Sequence, residues 1–266
     1  MSDDDLPITT RLARNGFDTI HLRGHDLREL IDDPFWSVVS VSLGNRRLTP
    51  QECRVVDAIC NIVAIGDPRV WPLKVTRLVG SYGQFFTAVA AGYSVLDRAN
   101  VGPGPSLAAA AFFLDAVEQG QTQEQCNRAI CAKYDAALAR KERVPAFGVA
   151  GRDDDERHTI FMEWLAAQPW QPGRCWRMFE AAVEHVGAVH GLKPNILGAT
   201  GILPLDLGFD GANIVALASY MTHWGFVANA FEATRESPEI LRRLPATHVR
   251  YVGPEPRLSP RAKKNP

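Results

Sequence analysis

From Ile214 to Phe231 the chain reads IVALASYMTHWGFVANAF, and the wider stretch Asp210–Phe231 is apolar nearly all round. A helix of that kind has no face to give to water. It is expected to be buried on every side, at the centre of a fold or in an interface between two copies. Ser219, Thr222, His223 and Asn229 interrupt the run and mark it as a buried helix, not a membrane span.

The rest of the sequence reads as helices that could surround it. Thr49-Pro50-Gln51-Glu52 is a strong helix start, with a capping threonine, proline at the first helical position and a glutamate that can close a capping box. Val55, Val56, Ile59, Ile62 and Val63 then hold a helical stripe until Gly66-Asp67-Pro68 breaks it. Leu73–Leu96 is dense in Gly, Ala and Ser, the composition of a helix–helix interface. Asn100–Pro105 reads as a loop, and Ser106–Ala116 and Thr122–Arg140 as helices. Further helices are expected to about Gln168, over Arg174–Val189 and from Ser237 to Arg243. Ile196–Phe209 reads as a loop, Phe17–Leu30 as a strand or hairpin followed by a short helix, and Val249–Val252 as a small strand. Period-2 alternation is scarce, so the expected fold class is mostly α.

Hydrophobic content of 46% and a charged fraction of 22% describe a globular chain able to bury a core. A net charge of −1 gives no field to recruit nucleic acid or an anionic membrane, and neither partner is expected. The basic tail Arg257–Lys264 reads as a solvated end. The five cysteines include no CxxC pair, which argues against zinc and a disulfide framework and for a reducing cytoplasm. MSDDDLPITT carries no apolar signal segment.

Motifs that would fix a chemistry are scarce. Gly102-Pro103-Gly104 lacks the third glycine and preceding strand of a dinucleotide fingerprint. His185 and His190 stand five apart, a poor spacing for a shared metal. His223 reads as a hydrogen-bonded core histidine, Asp153-Asp154-Asp155 as a solvated helix start, and His158 as a surface histidine in a first turn. The stretch Val144–His158, VPAFGVAGRDDDERH, runs from a glycine-containing apolar loop into that charged helix start.

Taken in order, several segments resemble the citrate synthase family, above all its short citryl-CoA lyase-like members, over about residues 19–254. RRLTPQECRVVDAI is similar to the family's "R-x-P-T-xx-E" helix and SYGQFFTAVAAGYSVLD to "TGADLYSAVAAGIGAL". VPAFGVAGRDDDER resembles "IPGFGHxVYKxxDPR", KPNILGATG "KPNLILNVDG", WGFVANAFEA "GWIAHALEQ" and RYVGP "EYVGP". The resemblance implies a large helical domain, here 1–103 with 201–266, and a small helical domain, 104–200. It also implies a homodimer formed through the large domain, a coenzyme A thioester as substrate or ligand, and no metal. In such proteins a carboxylate takes a proton from the acyl α-carbon while histidines stabilise the enol and polarise the partner carbonyl.

This sequence departs from that pattern at the catalytic positions. They fall on Gly66, Val101, Val149 and Thr200, and the histidine of "GWIAHALEQ" falls on Asn229. A valine neither donates a hydrogen bond nor carries a proton, so ordinary citrate chemistry is not expected. The valines are expected to line a pocket for an alicyclic or long acyl chain. His158, Thr200 and Asp67 remain as catalytic candidates, and Arg152, Arg157, Asn195, Asn229, Arg235 and His248 as residues that bind an anionic acyl-CoA. Three functions stay open: altered C–C lyase, acyl-transfer or hydrolytic chemistry on an acyl-CoA; non-catalytic binding of coenzyme A or a metabolite; or a structural subunit of a larger complex.

Overall fold

Thr49 closes the capping box that its context predicts. Its hydroxyl accepts from the amide of Glu52 at 3.2 Å, and the Glu52 carboxylate accepts from the amide of Thr49 at 2.8 Å. The helix that follows, α3 (Pro50–Ile62), buries Val55, Val56 and Ile59 completely. Thr122 and Gln125 repeat the device at the start of α7 (Gln123–Ala139). In this computed structural model residues 9–63, 66–96, 102–149, 152–236 and 245–254 are described, and they hold eleven α-helices and one small sheet. The expected Ser237–Arg243 helix, the 257–264 tail and Val101 lie outside the described residues.

At the N-terminal end β1 (Ala13–Asn15), β2 (Ile20–Leu22) and β3 (His25–Asp26) form an antiparallel sheet in that order, one strand more than the expected hairpin. Asp26 then caps α1 (Leu27–Leu30). Next comes α2 (Phe35–Ser42), to which the sequence reading assigned nothing. Its Ser/Val alternation has strand character, but as a helix it buries Trp36 and Val39 in the main core beside α3.

Leu73–Leu96 is two helices, α4 (Trp71–Gly80) and α5 (Phe85–Ser94), folded back on each other at a turn where Gly83 takes φ 78°. Their small residues serve packing inside the chain. A Cβ at Gly92 would run into Thr76 and the Phe226 ring on α11 (Gly211–Ala233). α6 (Pro103–Glu118) starts three residues earlier than expected, because proline suits a first helical turn that has no amide to lose. α8 (Glu156–Ala166) and α9 (Arg174–His190) follow the expected order.

The expected loop 196–209 is instead a buried π-helical turn, Gly198–Ile202, followed by α10 (Leu203–Asp206). Asp206 acts at a distance. Its carboxylate accepts from the amides of Cys175 and Trp176, each at 2.9 Å, and so caps α9, whose own N-cap residue, Gly173, has no side chain to offer. The expected strand 249–252 is exposed coil after a 3-10 turn at Ala246–His248, with no neighbouring edge to pair with among the described residues.

One continuous core runs from Trp36 through Ile59, Phe113, Tyr134 and Phe179 to Met221. A smaller one joins Leu73, Leu96 and Phe226. α11 lies between the two, so its inner face is buried as expected. Tyr220, Trp224 and Phe231 on its outer face are not; each is 40% or more exposed. Among the described residues no helix is long and apolar enough to cross a membrane.

Candidate functional site

The loop that begins at Val144 is fastened to the segment 193–197. Asn195 donates from its backbone amide to Ala146 O at 2.8 Å and from its side chain to Gly148 O at 2.7 Å, and Gly148 N donates to Lys193 O at 2.9 Å. Asp155 completes the join. Its carboxylate accepts from Arg157 Nε (2.8 Å) and Nη2 (2.9 Å) and from the amides of Arg157 (3.3 Å) and Ile196 (3.0 Å). Only 1% of the residue is exposed. Burial pushes its carboxyl upward, but the Arg157 guanidinium and the Ile196 amide outweigh burial and hold it below the ordinary carboxylate value. The solvated helix start expected at Asp153–Asp155 is therefore corrected at Asp155, which is a buried cap.

This latch stands at one wall of a small open cleft with a cavity volume of about 40 Å³. Arg157 and Thr200 line it, with Ser106, Thr222, Val63 and Met221. Ser106, 1% exposed, donates to Thr200 Oγ1 at 3.0 Å. That hydroxyl pair depends on a close approach of the π-helical turn to α6, since a Cβ at Gly201 would run into the Ser106 carbonyl. Gly102 and Thr222 also line a second, wholly apolar pocket with Leu73, Leu96, Val70 and Phe226. The two pockets thus share a wall. Val149 does not line either pocket; it is half-buried in a two-residue bridge with Arg152. The apolar lining comes from Val63, Leu73, Leu96, Met221 and Phe226 instead.

Two of the replaced family positions meet at the far side of α11. Asn229, 4% exposed, donates to Gly66 O at 3.0 Å and to Gly225 O at 2.8 Å. Its carbonyl accepts from Arg77 at 3.4 Å, and Arg77 is also paired with Glu232 and Glu236. Asp67 pairs with Arg69 at the surface, and that guanidinium holds the carboxyl below its ordinary value. Arg152 pairs with Glu156 at 2.7 Å on the surface, Arg235 lies 4.1 Å over the Phe231 ring, and His248 is exposed.

The histidines fall differently from the sequence reading. His158 is buried, its ring edge-on to Phe179 and its Nδ1 without a partner; burial lowers its pKa. The expected surface position is wrong because the first turn of α8 faces α9. His223 is exposed and contacts the Tyr93 hydroxyl at 3.1 Å. His185 and His190, despite their five-residue spacing, converge on the Asp135 carboxylate at 2.9 and 2.7 Å, because α7 runs alongside α9. The sequence reading missed Asp155, Ser106 and Thr222 as members of the site. Asp155 had a local signal, a side chain two residues before Arg157 at a helix start. Ser106 had none, because its partner is 94 residues away.

No protein-family model matches the sequence, and no curated protein matches it significantly. Solved structures do match. Citryl-CoA lyase from Hydrogenobacter thermophilus has a TM-score of 0.78 at 23% identity, covering 97% of this chain and 99% of that one. ATP citrate lyase from Methanothrix soehngenii, in complex with citrate and coenzyme A, has a TM-score of 0.72 at 18% identity, covering 96% of this chain and 43% of that one. Citrate synthase from Thermotoga maritima has a TM-score of 0.59 at 15% identity, covering 86% of this chain and 60% of that one. The fold that the motif order suggested is therefore the fold of this chain: mostly helical and citrate synthase-like, at the full length of a citryl-CoA lyase.

Proposed function

We propose that the protein binds a coenzyme A thioester in the cleft beside Thr200 and acts on its acyl group by lyase, acyl-transfer or hydrolytic chemistry, without making citrate. The observation that carries this reading is the Ser106–Thr200 hydroxyl pair where the resemblance places a catalytic carboxylate. A threonine hydroxyl does not take an α-proton near pH 7, but it orients a carbonyl or a water molecule. The complexed coenzyme A in the similar ATP citrate lyase supports the ligand class. Arg152, Arg157 and Lys193 stand beside the cleft, each paired with a carboxylate (Glu156, Asp155 and Asp154), so the phosphates of such a ligand would meet their remaining N–H donors and not free cations.

Two further elements belong to the proposal. The chain divides into 1–103 with 201–266 and 104–200, with the cleft between them. Two copies pair through the outer face of α11, where Trp224 and Phe231 are exposed, and through α5 beside it, where Phe86 is 85% exposed. Coenzyme A and five free thiols suit a cytoplasmic setting.

A second reading, a non-catalytic binder, rests on the absence of a histidine or carboxylate from the cleft lining among the described residues. Calorimetry with coenzyme A and acetyl-CoA tests the shared part of both readings: absence of heat with either ligand overturns both and leaves a structural subunit. Turnover of a panel of acyl-CoAs then separates them. Citrate formed by pure protein from acetyl-CoA and oxaloacetate would overturn the claim that citrate is not made.

A further inference from the structure

Beside the latch lies a buried titratable group that the cleft does not use. His158 is the third residue of α8, 7% exposed, with its ring edge-on to Phe179 at a centroid distance of 5.9 Å. Its Nδ1 is buried and bonded to no protein group. A neutral imidazole fits such a place, because one ring nitrogen can stay unprotonated. An imidazolium does not. Both its nitrogens carry protons, and a buried N–H without an acceptor is costly.

The carboxylates that act on this ring are already committed. A carboxylate offers about four acceptor positions, and those of Asp155 take Arg157 Nε, Arg157 Nη2 and the amides of Arg157 and Ile196. The Asp154 carboxylate takes Lys193 Nζ at 2.8 Å and the Asp155 amide at 2.9 Å. α9 presents to the ring only the uncharged Phe179. Burial lowers the pKa of His158, and the attraction of Asp155 and Asp154 offsets that only in part. A proton on the ring therefore needs the first turn of α8 to move. Residues 152–154 and 156 are exposed, so the open direction is outward.

We propose that the latch is proton-operated: protonation of His158 releases the bond from the Ile196 amide to Asp155 and draws Arg157 away from the cleft wall that it shares with Ile196 and Thr200. Neutral His158 is the form that the closed latch accepts. Closure is thus complete above the ordinary histidine value of about 6.5 and weakens as the pH falls below it. Asp155 titrates in a separate window, below about pH 4. The closed latch is a property of the protein without ligand, whatever the cleft binds.

Amide exchange at Ile196, followed by NMR between about pH 7.5 and pH 5.5 and corrected for the intrinsic rate, tests this. Protection at Ile196 is expected to fall by up to about ten-fold for each pH unit below about 6.5, in step with titration of the His158 ring. Ile196 should exchange faster than the core amide of Phe113 throughout, as opening of the latch alone requires. His158→Phe keeps an aromatic ring against Phe179 but takes no proton, and should hold Ile196 protection level over the same range. A ring that titrates with no change at Ile196 overturns the proposal, as does a His158→Phe variant that loses protection as the parent does. Equal exchange at Ile196 and Phe113 would show unfolding of the whole chain and overturn it too. The parent measurements decide by themselves if the variant does not fold.

Discussion

Two buried polar residues bracket α11 and the cleft, and they hold the chain together in different currencies of chemistry. Asp155 is a charge: its carboxylate ties the loop before α8 to the segment before the π-helical turn and neutralises Arg157. Asn229 is neutral: its amide ties α11 to Gly66 O, at two positions where the resemblance expects histidines. The charged cluster stands at a wall of the cleft, where the Asp155 carboxylate balances the Arg157 cation. The neutral cluster lies where the resemblance expects a histidine pair, and here an amide and a backbone carbonyl satisfy each other. The first region borders the cleft, and the second joins α11 to the turn at Gly66.

The contrast breaks most sharply at Asp155. Replacing it with alanine strands the Arg157 guanidinium and the Ile196 amide and removes the cap of α8 in one step. Loss of one partner of a buried pair costs about 3–5 kcal/mol, and the low end is expected here because the Arg157 side chain is 36% exposed. Urea titration measures it. The acid limb supplies a second reading. The folded-state pKa of Asp155 lies below its unfolded value, so its stabilisation is fully present above about pH 4 and is lost as the pH falls through the folded value. Asp155→Asn should accordingly flatten the loss of stability below about pH 4. An unchanged acid limb would mean that the ion pair is not what stabilises the latch.

A smaller effect is expected at the neutral cluster. Asn229→Leu keeps the volume but deletes the bonds to Gly66 O and Gly225 O, and leaves Arg77 with its two glutamates. One buried carbonyl without a donor costs about 1–3 kcal/mol, and the difference from the parent should be the same at pH 5 and pH 8. A pH-dependent difference would show that Arg77 and its carboxylates, not the amide, govern this region.

What could be read in the sequence followed the range of each interaction. The capping box of Thr49 and Glu52 is local, and so was legible. The order of weak motifs carried the fold and located Thr200, although no single segment would have done so. The Leu73–Leu96 stretch was legible as packing material but not as two helices, because a four-residue turn centred on Gly83 leaves the small-residue pattern unbroken on both sides. A run of three aspartates reads as solvated, yet Asp155 is buried because the Ile196 amide, 41 residues away, reaches it. The same distance effect hid the meeting of His185 and His190 at Asp135, where the helical spacing of the pair argued against a common partner and the neighbouring helix supplied one. Burial of His158 depended likewise on where α9 places Phe179.

The smallest effect is expected where restoring a residue looks most tempting. Val149 stands at the position of the "GFGH" histidine, but it is half-buried against Arg152 and lines neither pocket. Val149→His should alter stability by less than about 1 kcal/mol, as for a substitution away from a packed core, and should yield no citrate from acetyl-CoA and oxaloacetate. The cleft of such a variant would still hold a hydroxyl pair, Ser106 and Thr200, in place of a base, and general-base removal of an α-proton needs a group that titrates near the working pH. The double variant Val149→His, Thr200→Asp isolates that requirement. Citrate from the single variant would show that position 149 alone had silenced the chemistry. Citrate from the double variant only would place the loss at Thr200.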